Sequence, residues 1–207
     1  RIPLWYRVVS MGGMLSPVHP AGNIESWLLG VFGDRTLQDL PRHVIVTAYD
    51  IRGRQSRLFH NLTPDARKER IVDVLMKSCS VPIMLPLHRM HMDGAIFAPN
   101  PAAHAVFLCK QHACDLADIR LLTVGTVTYP CIVPSNERVG MLWALLHPHA
   151  LVQHMYRASL RGTDMILSGT LRGSQWRRVE VQIPGKRSRA TLKGWTHSGD
   201  MVDTLRT

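Results

Sequence analysis

The chain has no run of apolar residues approaching the roughly 20 needed to span a bilayer as a helix. It has no signal-peptide anatomy at Arg1-Ile2-Pro3-Leu4-Trp5-Tyr6-Arg7. Its four cysteines, at 79, 109, 114 and 131, fall in no CxxC or comparable metal-ligand spacing, so they read as buried or free thiols of a reducing compartment. Eleven histidines include no HExxH or similar helical pair. His88 and His91 lie near Asp93, and His147 and His149 bracket Pro148, an arrangement more typical of loops than of ligands. No zinc or other metal and no cofactor is expected. Internal repeats and low-complexity stretches are absent too.

Negative charge is also scarce: 15 Asp and Glu face 25 Lys and Arg, a net charge of +10. From Val152 onward there are ten Lys/Arg against four Asp/Glu, so the excess is concentrated late in the chain. Such a field favours anionic partners: an anionic phospholipid surface, an acidic protein or nucleic acid. A solvated basic tail with no partner is the plainer reading. A specific nucleic-acid partner is not expected, because no zinc-finger, aromatic RNP or glycine-loop signature accompanies the charge.

What is present is a globular composition of 207 residues, 45% hydrophobic with mean hydropathy near zero, enough for one domain with a sizeable core. Residues up to about Gly22 are broken by glycine and proline. Ile24, Trp27, Leu28, Val31 and Phe32 share one predicted helical face, stopped at Gly33-Asp34. His43–Asp50 is a β-branched run of strand length, apolar enough to be buried on both faces, and 52–58 suits a hairpin or exposed edge. Pro64 marks the start of a helix whose apolar face is Ile71, Val72, Val74, Leu75 and Cys79. Pro101 opens another through Gln111, burying Ala105, Val106, Leu108 and Cys109. Asp118–Val124 reads as a second buried strand, 139–168 as helical with a break at Pro148, and Trp176–Ile183 as a half-buried strand by its alternation. Alternating helices and short strands predict an α/β layered sheet.

One stretch carries chemistry. Lys77-Ser78-Cys79-Ser80-Val81-Pro82 closes a helix on a proline; Asp93-Gly94-Ala95 follows an apolar turn; Pro99-Asn100-Pro101 leads into a new helix. This order of parts resembles the second active-site segment of the patatin-like phospholipases, bacterial type. Phe32-Gly33-Asp34 with Thr36-Leu37-Gln38-Asp39-Leu40, the strand ending Ala48-Tyr49-Asp50, and Leu121-Leu122-Thr123-Val124-Gly125-Thr126 are similar to further family segments in the same order. Val127 stands where the family usually has glycine. The resemblance runs from about residue 15 to 185.

The resemblance implies a three-layer α/β/α fold with a central, mostly parallel sheet, of which this chain holds the C-terminal two-thirds. It implies a partial hydrolase domain over 1–185 and a basic extension over 186–207. The activity implied is lipid ester hydrolysis through a serine-aspartate dyad, with Asp93 as general base in the motif Asp93, Gly94, Ala95. The substrate would be a phospholipid or other lipid ester, and the location cytoplasmic, peripheral at the membrane. The family's Gly-x-Ser-x-Gly elbow and glycine-rich oxyanion loop are missing. The nearest relic, Val8-Val9-Ser10-Met11-Gly12-Gly13, has a β-branched valine where the first glycine belongs, and Ser10 reads as a loop serine. The nucleophile is therefore expected ahead of Arg1, or lost. In the latter case the alternative is a catalytically dead membrane-binding or interaction module.

Around Asp93, the apolar Met90, Met92, Ile96 and Phe97 should desolvate the carboxylate and raise its basicity. Asn100 is expected to hold the following loop, and Ser78 and Ser80 to serve helix-end packing. Met76, Met84, Met90 and Met92 suit either an acyl pocket or the core.

Overall fold

A computed structural model describes residues 16–125 and 148–179, arranged in a mixed α/β architecture of helices and two small sheets. The chain divides into two compact units. Among the described residues, 16–119 and 155–172 form the first, and 120–125, 148–154 and 173–179 belong to the second. Ser10, Cys131, Val127, residues 139–147, Glu180–Ile183 and the extension over 186–207 lie outside the described residues.

The first unit is built on a three-stranded sheet in the order β2-β1-β3, where β1 is Ile45–Asp50, β2 Gln55–His60 and β3 His91–Asp93. Both pairings are antiparallel, Val46 opposite Phe59 and Ala48 opposite Asp93. The expected mostly parallel sheet is therefore not what these strands form. A tight 51–54 turn joins β1 to β2 directly, and a two-strand hairpin of this kind must run antiparallel. Nor is β1 buried throughout: only Thr47 and Ala48 are.

Two helices follow, one packed on this sheet and the other packed on that helix. Helix α1 (Gly22–Phe32) ends at Gly33, whose N–H still makes the last helical bond, to Leu29 O at 2.8 Å, while its φ of 58° turns the chain out of the helix. Its buried stripe is narrower than its apolar content. Ile24, Leu28 and Phe32, four residues apart, face α2, whereas Trp27 (66% exposed) and Val31 (46%) face outward. Helix α2 (Ile71–Cys79) supplies Ile71 and Val74 to a core with Leu37, Ala48 and Phe59, and Val72 and Met76 to a second cluster with Leu28.

Helix α2 starts seven residues after Pro64, not at it. Leu37 N–H donates to Glu69 O and Ile71 N–H to Arg35 O, with Thr36 bridging Arg70, so Glu69 and Arg70 are held extended against 35–37. Pro64 instead precedes a 3-10 turn at Ala66–Lys68. At the far end Cys79 is exposed rather than buried.

Asn61 knits the loops together. Its Oδ1 accepts Val44 N–H at 3.0 Å, and Nδ2 donates to Arg42 O at 2.9 Å and Leu37 O at 3.2 Å. The side chain is buried. Asn61→Ala should therefore cost about 2 kcal/mol, because it strands a half-buried N–H and two carbonyls, that of Leu37 buried, at once. Urea unfolding measures it, and a loss under about 1 kcal/mol would mean water replaces the amide.

Helix α3 (Ala102–Gln111) follows Pro101 as expected, burying Ala102, Val106 and Leu108. Ala105 and Cys109 are only half-buried. Helix α4 is described over Pro148–Thr170, and residues 139–147, where the helical piece expected ahead of Pro148 would fall, lie outside the described residues. Within the first unit it buries Leu160, Thr163 and Leu167, and Ser159 Oγ donates to Phe97 O at 3.2 Å.

In the second unit, β4 (Leu121–Val124) pairs in parallel with β5 (Trp176–Val179), Leu121 opposite Trp176. Strand β4 is not the buried strand expected over Asp118–Val124. A 3-10 turn occupies Leu116–Asp118, and of the strand only Thr123 is buried, with Leu122 64% and Val124 74% exposed. Among the described residues no helix is long and apolar enough to cross a membrane.

Candidate functional site

Asp93 is the last residue of β3 and is gripped from two sides. Its strand pairs with β1, and its own N–H donates to Ser80 O at 3.0 Å, tying it to the end of α2. Ser80 is itself immobilised, 1% exposed with Oγ donating to Met76 O at 2.7 Å. The helix-end role expected of Ser80 is thus what it performs.

The carboxylate then caps the following 3-10 turn, Gly94–Ile96, Oδ1 accepting Ala95 N–H at 2.7 Å. Oδ2 accepts no hydrogen bond among the described residues. Half-burial raises the carboxyl above the ordinary Asp range, and the Ala95 N–H partly opposes that rise. The basicity expected of Asp93 is present, although the apolar shell is looser than its sequence suggests. Ile96 is 60% and Met90 41% exposed, while Met92 and Phe97 are half-buried.

Gly94 has a steric reason to be glycine. A Cβ there would overlap Thr47 Oγ1 and the Thr47 carbonyl carbon and oxygen. The three motif residues therefore divide the work: Asp93 supplies the carboxylate, Gly94 admits the close approach to β1, and Ala95 N–H fixes the carboxylate's orientation. Asn100 Oδ1 accepts Ala102 N–H at 3.2 Å and so holds the start of α3, the structural role expected of it.

Sequence reasoning missed the neighbours of this carboxylate. Although Cys79 is exposed as a residue, partial desolvation of its thiol pushes the pKa up, and the nearby Asp93 charge adds to the rise. Both effects keep it a protonated thiol, which is a poor nucleophile. The methionines split: Met76 is core, 2% exposed, whereas Met84 and Met90 lie on an exposed loop with Val81, Ile83 and Leu87.

A second cluster borders β3 at its other end. His88 Nε2 donates to Asp73 Oδ1 at 3.0 Å, and an Arg89 guanidinium N–H donates to Asp73 Oδ2 at 3.1 Å. Asp73 is buried in α2, sixteen residues before Arg89, so no sequence spacing announces the contact. The His88–His91 turn places Arg89 and Met90 at φ of 49° and 60°, left-handed values that non-glycine residues adopt at a cost of about 1 kcal/mol each. Among the described residues, no three His, Cys, Asp or Glu side chains converge as a metal site would require.

Compared with known proteins, the chain matches no family model and no curated protein sequence.

Proposed function

We propose that this chain carries the base half of a serine-aspartate lipid acyl hydrolase of patatin-like, three-layer type, with Asp93 as general base and the nucleophilic serine supplied from ahead of Arg1. The observation that carries the reading is the Asp93 carboxylate. One oxygen is held by Ala95 N–H, the other is unengaged among the described residues, and the group is made more basic by half-burial at the end of a fixed strand. A base that must take a serine proton needs that combination of rigidity, a free lone pair and raised basicity.

In this reading the serine attacks the ester carbonyl while Asp93 Oδ2 takes its proton. The proton then passes to the leaving alcohol, and water, activated by the same carboxylate, releases the acid. No metal or cofactor enters. The exposed apolar loop of Val81, Ile83, Met84, Leu87 and Met90 beside the site suits contact with a lipid surface. The same loop is the observation that favours the second reading, a catalytically dead module that binds membranes. Either reading has the protein act at a cytoplasmic, anionic membrane surface.

The two readings separate by labelling the whole gene product that contains this chain with a fluorophosphonate, which reacts with activated serines. A labelled serine ahead of Arg1, with turnover of a nitrophenyl ester, is the expected outcome. The isolated 207 residues should turn over that ester at least about a thousandfold more slowly, since a nucleophile and oxyanion donors each contribute orders of magnitude. No labelling of the whole product would leave the membrane module. Robust turnover by the isolated chain, lost on Ser10→Ala, would move the nucleophile to Ser10.

A further inference from the structure

We propose that the cleft between the β1–β2 turn and the His88–His91 turn binds the phosphate group of an anionic ligand through the guanidinium groups of Arg52 and Arg89. The cleft has a volume of about 460 Å³ and is lined by Asp50, Arg52, Gly53, Arg89, Met90 and His91. Two turns from different parts of the chain form its walls, and Ile51 N–H donating to Met90 O at 3.0 Å ties them together.

The two arginines are presented differently. Arg89 is backed by the buried Asp73, which engages one guanidinium nitrogen and so fixes the fork while leaving other N–H groups to face a ligand. Arg52 is exposed, and its side chain has no ion-pair partner among the described residues. A planar fork whose direction is already set loses less freedom on binding, and two arginines lining one cleft supply enough N–H groups for the several oxygens of a phosphate.

Asp50 is the one acid in the lining, and it opposes an anion. Its Oδ1 already accepts Gly53 N–H at 2.9 Å, and the Arg57 and His91 side chains lie within electrostatic reach. Residues 51–58 hold Arg52, Arg54 and Arg57 and no acid, so cationic groups outnumber the carboxylates about the cleft even with Asp73 counted. His91 Nδ1 donates to Arg89 O at 2.8 Å, which fixes the ring in the wall with Nε2 unused by that bond. The left-handed Arg89 and Met90, and Arg54 at φ 51°, mean that both turns hold strained backbone where asparagine or glycine would relax it.

His91 and Asp93 occupy the same face of β3, roughly 7 Å apart along the strand. A phosphate in the cleft would therefore lie within one head-group length of the Asp93 carboxylate. That places the head group of a phospholipid there, an assignment that rests on the hydrolase reading; phosphate recognition itself does not.

The test is a titration of the ¹⁵N-labelled 207-residue chain at constant ionic strength, with inorganic phosphate in one arm and monomeric dihexanoyl phosphatidate in the other. Saturable shifts confined to the amides of 52–54 and 89–91, weakened about tenfold by Arg52→Gln, are expected. Arg52 is exposed, so that variant keeps the fold; Arg89→Lys, which keeps the charge and loses the fork, should weaken binding as well. Tighter binding of phosphatidate assigns the cleft to a lipid head group, and equal binding assigns it to free phosphate. Shifts that never saturate, or an Arg52→Gln chain that binds as wild type does, overturn the proposal. No turnover is read here. A chain that binds phosphate but whose gene product labels no serine keeps the cleft and loses the hydrolase, and the reverse result loses only the cleft.

Discussion

Gly94→Ala should destabilise the protein by at least about 3 kcal/mol, near the upper end of what overpacking a well-filled site costs. The cause is space, not backbone conformation. The added methyl would meet the Thr47 backbone carbonyl as well as Thr47 Oγ1, and Thr47 sits buried in the middle of the central strand. A flexible side-chain tip could swing away from such an overlap; a strand paired on both edges cannot. Thr47→Ala should for that reason rescue Gly94→Ala only slightly, since it removes the hydroxyl and leaves the carbonyl in place.

Gly33 is the contrasting case. Nothing lies within 4 Å of the position a Cβ would take, but its φ of 58° with ψ of −134° falls outside the left-handed helical well, so Gly33→Ala should cost about 2 kcal/mol, all of it backbone strain. Thermal and urea unfolding of the three variants measures the ordering. A Gly94→Ala protein no less stable than Gly33→Ala would show that β3 and β1 can separate at little cost. Asp93 would then not be rigidly held.

The features legible in the sequence are those set by local periodicity. The β1–β2 hairpin, the apolar face of α2 over Ile71, Val72, Val74 and Leu75, and the start of α3 after Pro101 stand close to where their patterns put them. So does Asp93, because an apolar turn ending in Asp-Gly has few other ways to cap a following turn.

The features that were not legible depend on residues distant in sequence. Helix α2 starts late because Glu69 and Arg70 are borrowed by 35–37. Trp27 and Val31 are apolar yet exposed, since α1 turns a stripe with a four-residue repeat, Ile24, Leu28 and Phe32, toward α2. Leu122 and Val124 read as core because periodicity registers hydrophobicity and not whether a face is covered. The His88–His91 turn was hidden by its composition: with arginine and methionine at its left-handed positions, it lacks the asparagine or glycine that announces such a turn. The Asp73, His88 and Arg89 cluster, and with it the phosphate cleft, was invisible for the same pair of reasons.

Asp93→Asn in the whole gene product should lower ester turnover by about a thousandfold or more, within the range that a positioned general base contributes. Folding should be kept. Asn retains an Oδ1 that can accept Ala95 N–H, so the cap and the 3-10 turn survive, while the lone pair basic enough to take a serine proton is lost.

Stability gives the variant a second, independent signature. Burial raises the Asp93 carboxyl above its unfolded value, so the folded state favours the protonated form. That contribution to stability is fully present below the unfolded pKa and is lost as pH rises through the folded one. At neutral pH the ionised, half-buried carboxylate therefore weighs against the fold, and Asn removes that weight. Asp93→Asn should be at least as stable as wild type at pH 7, and its advantage should disappear below the ordinary Asp range, where both side chains are neutral. Parallel melting curves across that pH span, set beside turnover at neutral pH, distinguish a base from a mere cap. A variant that is stable and inactive has lost a base. One that is unstable at neutral pH has lost a structural carboxylate, and one that is stable and fully active removes Asp93 from the chemistry.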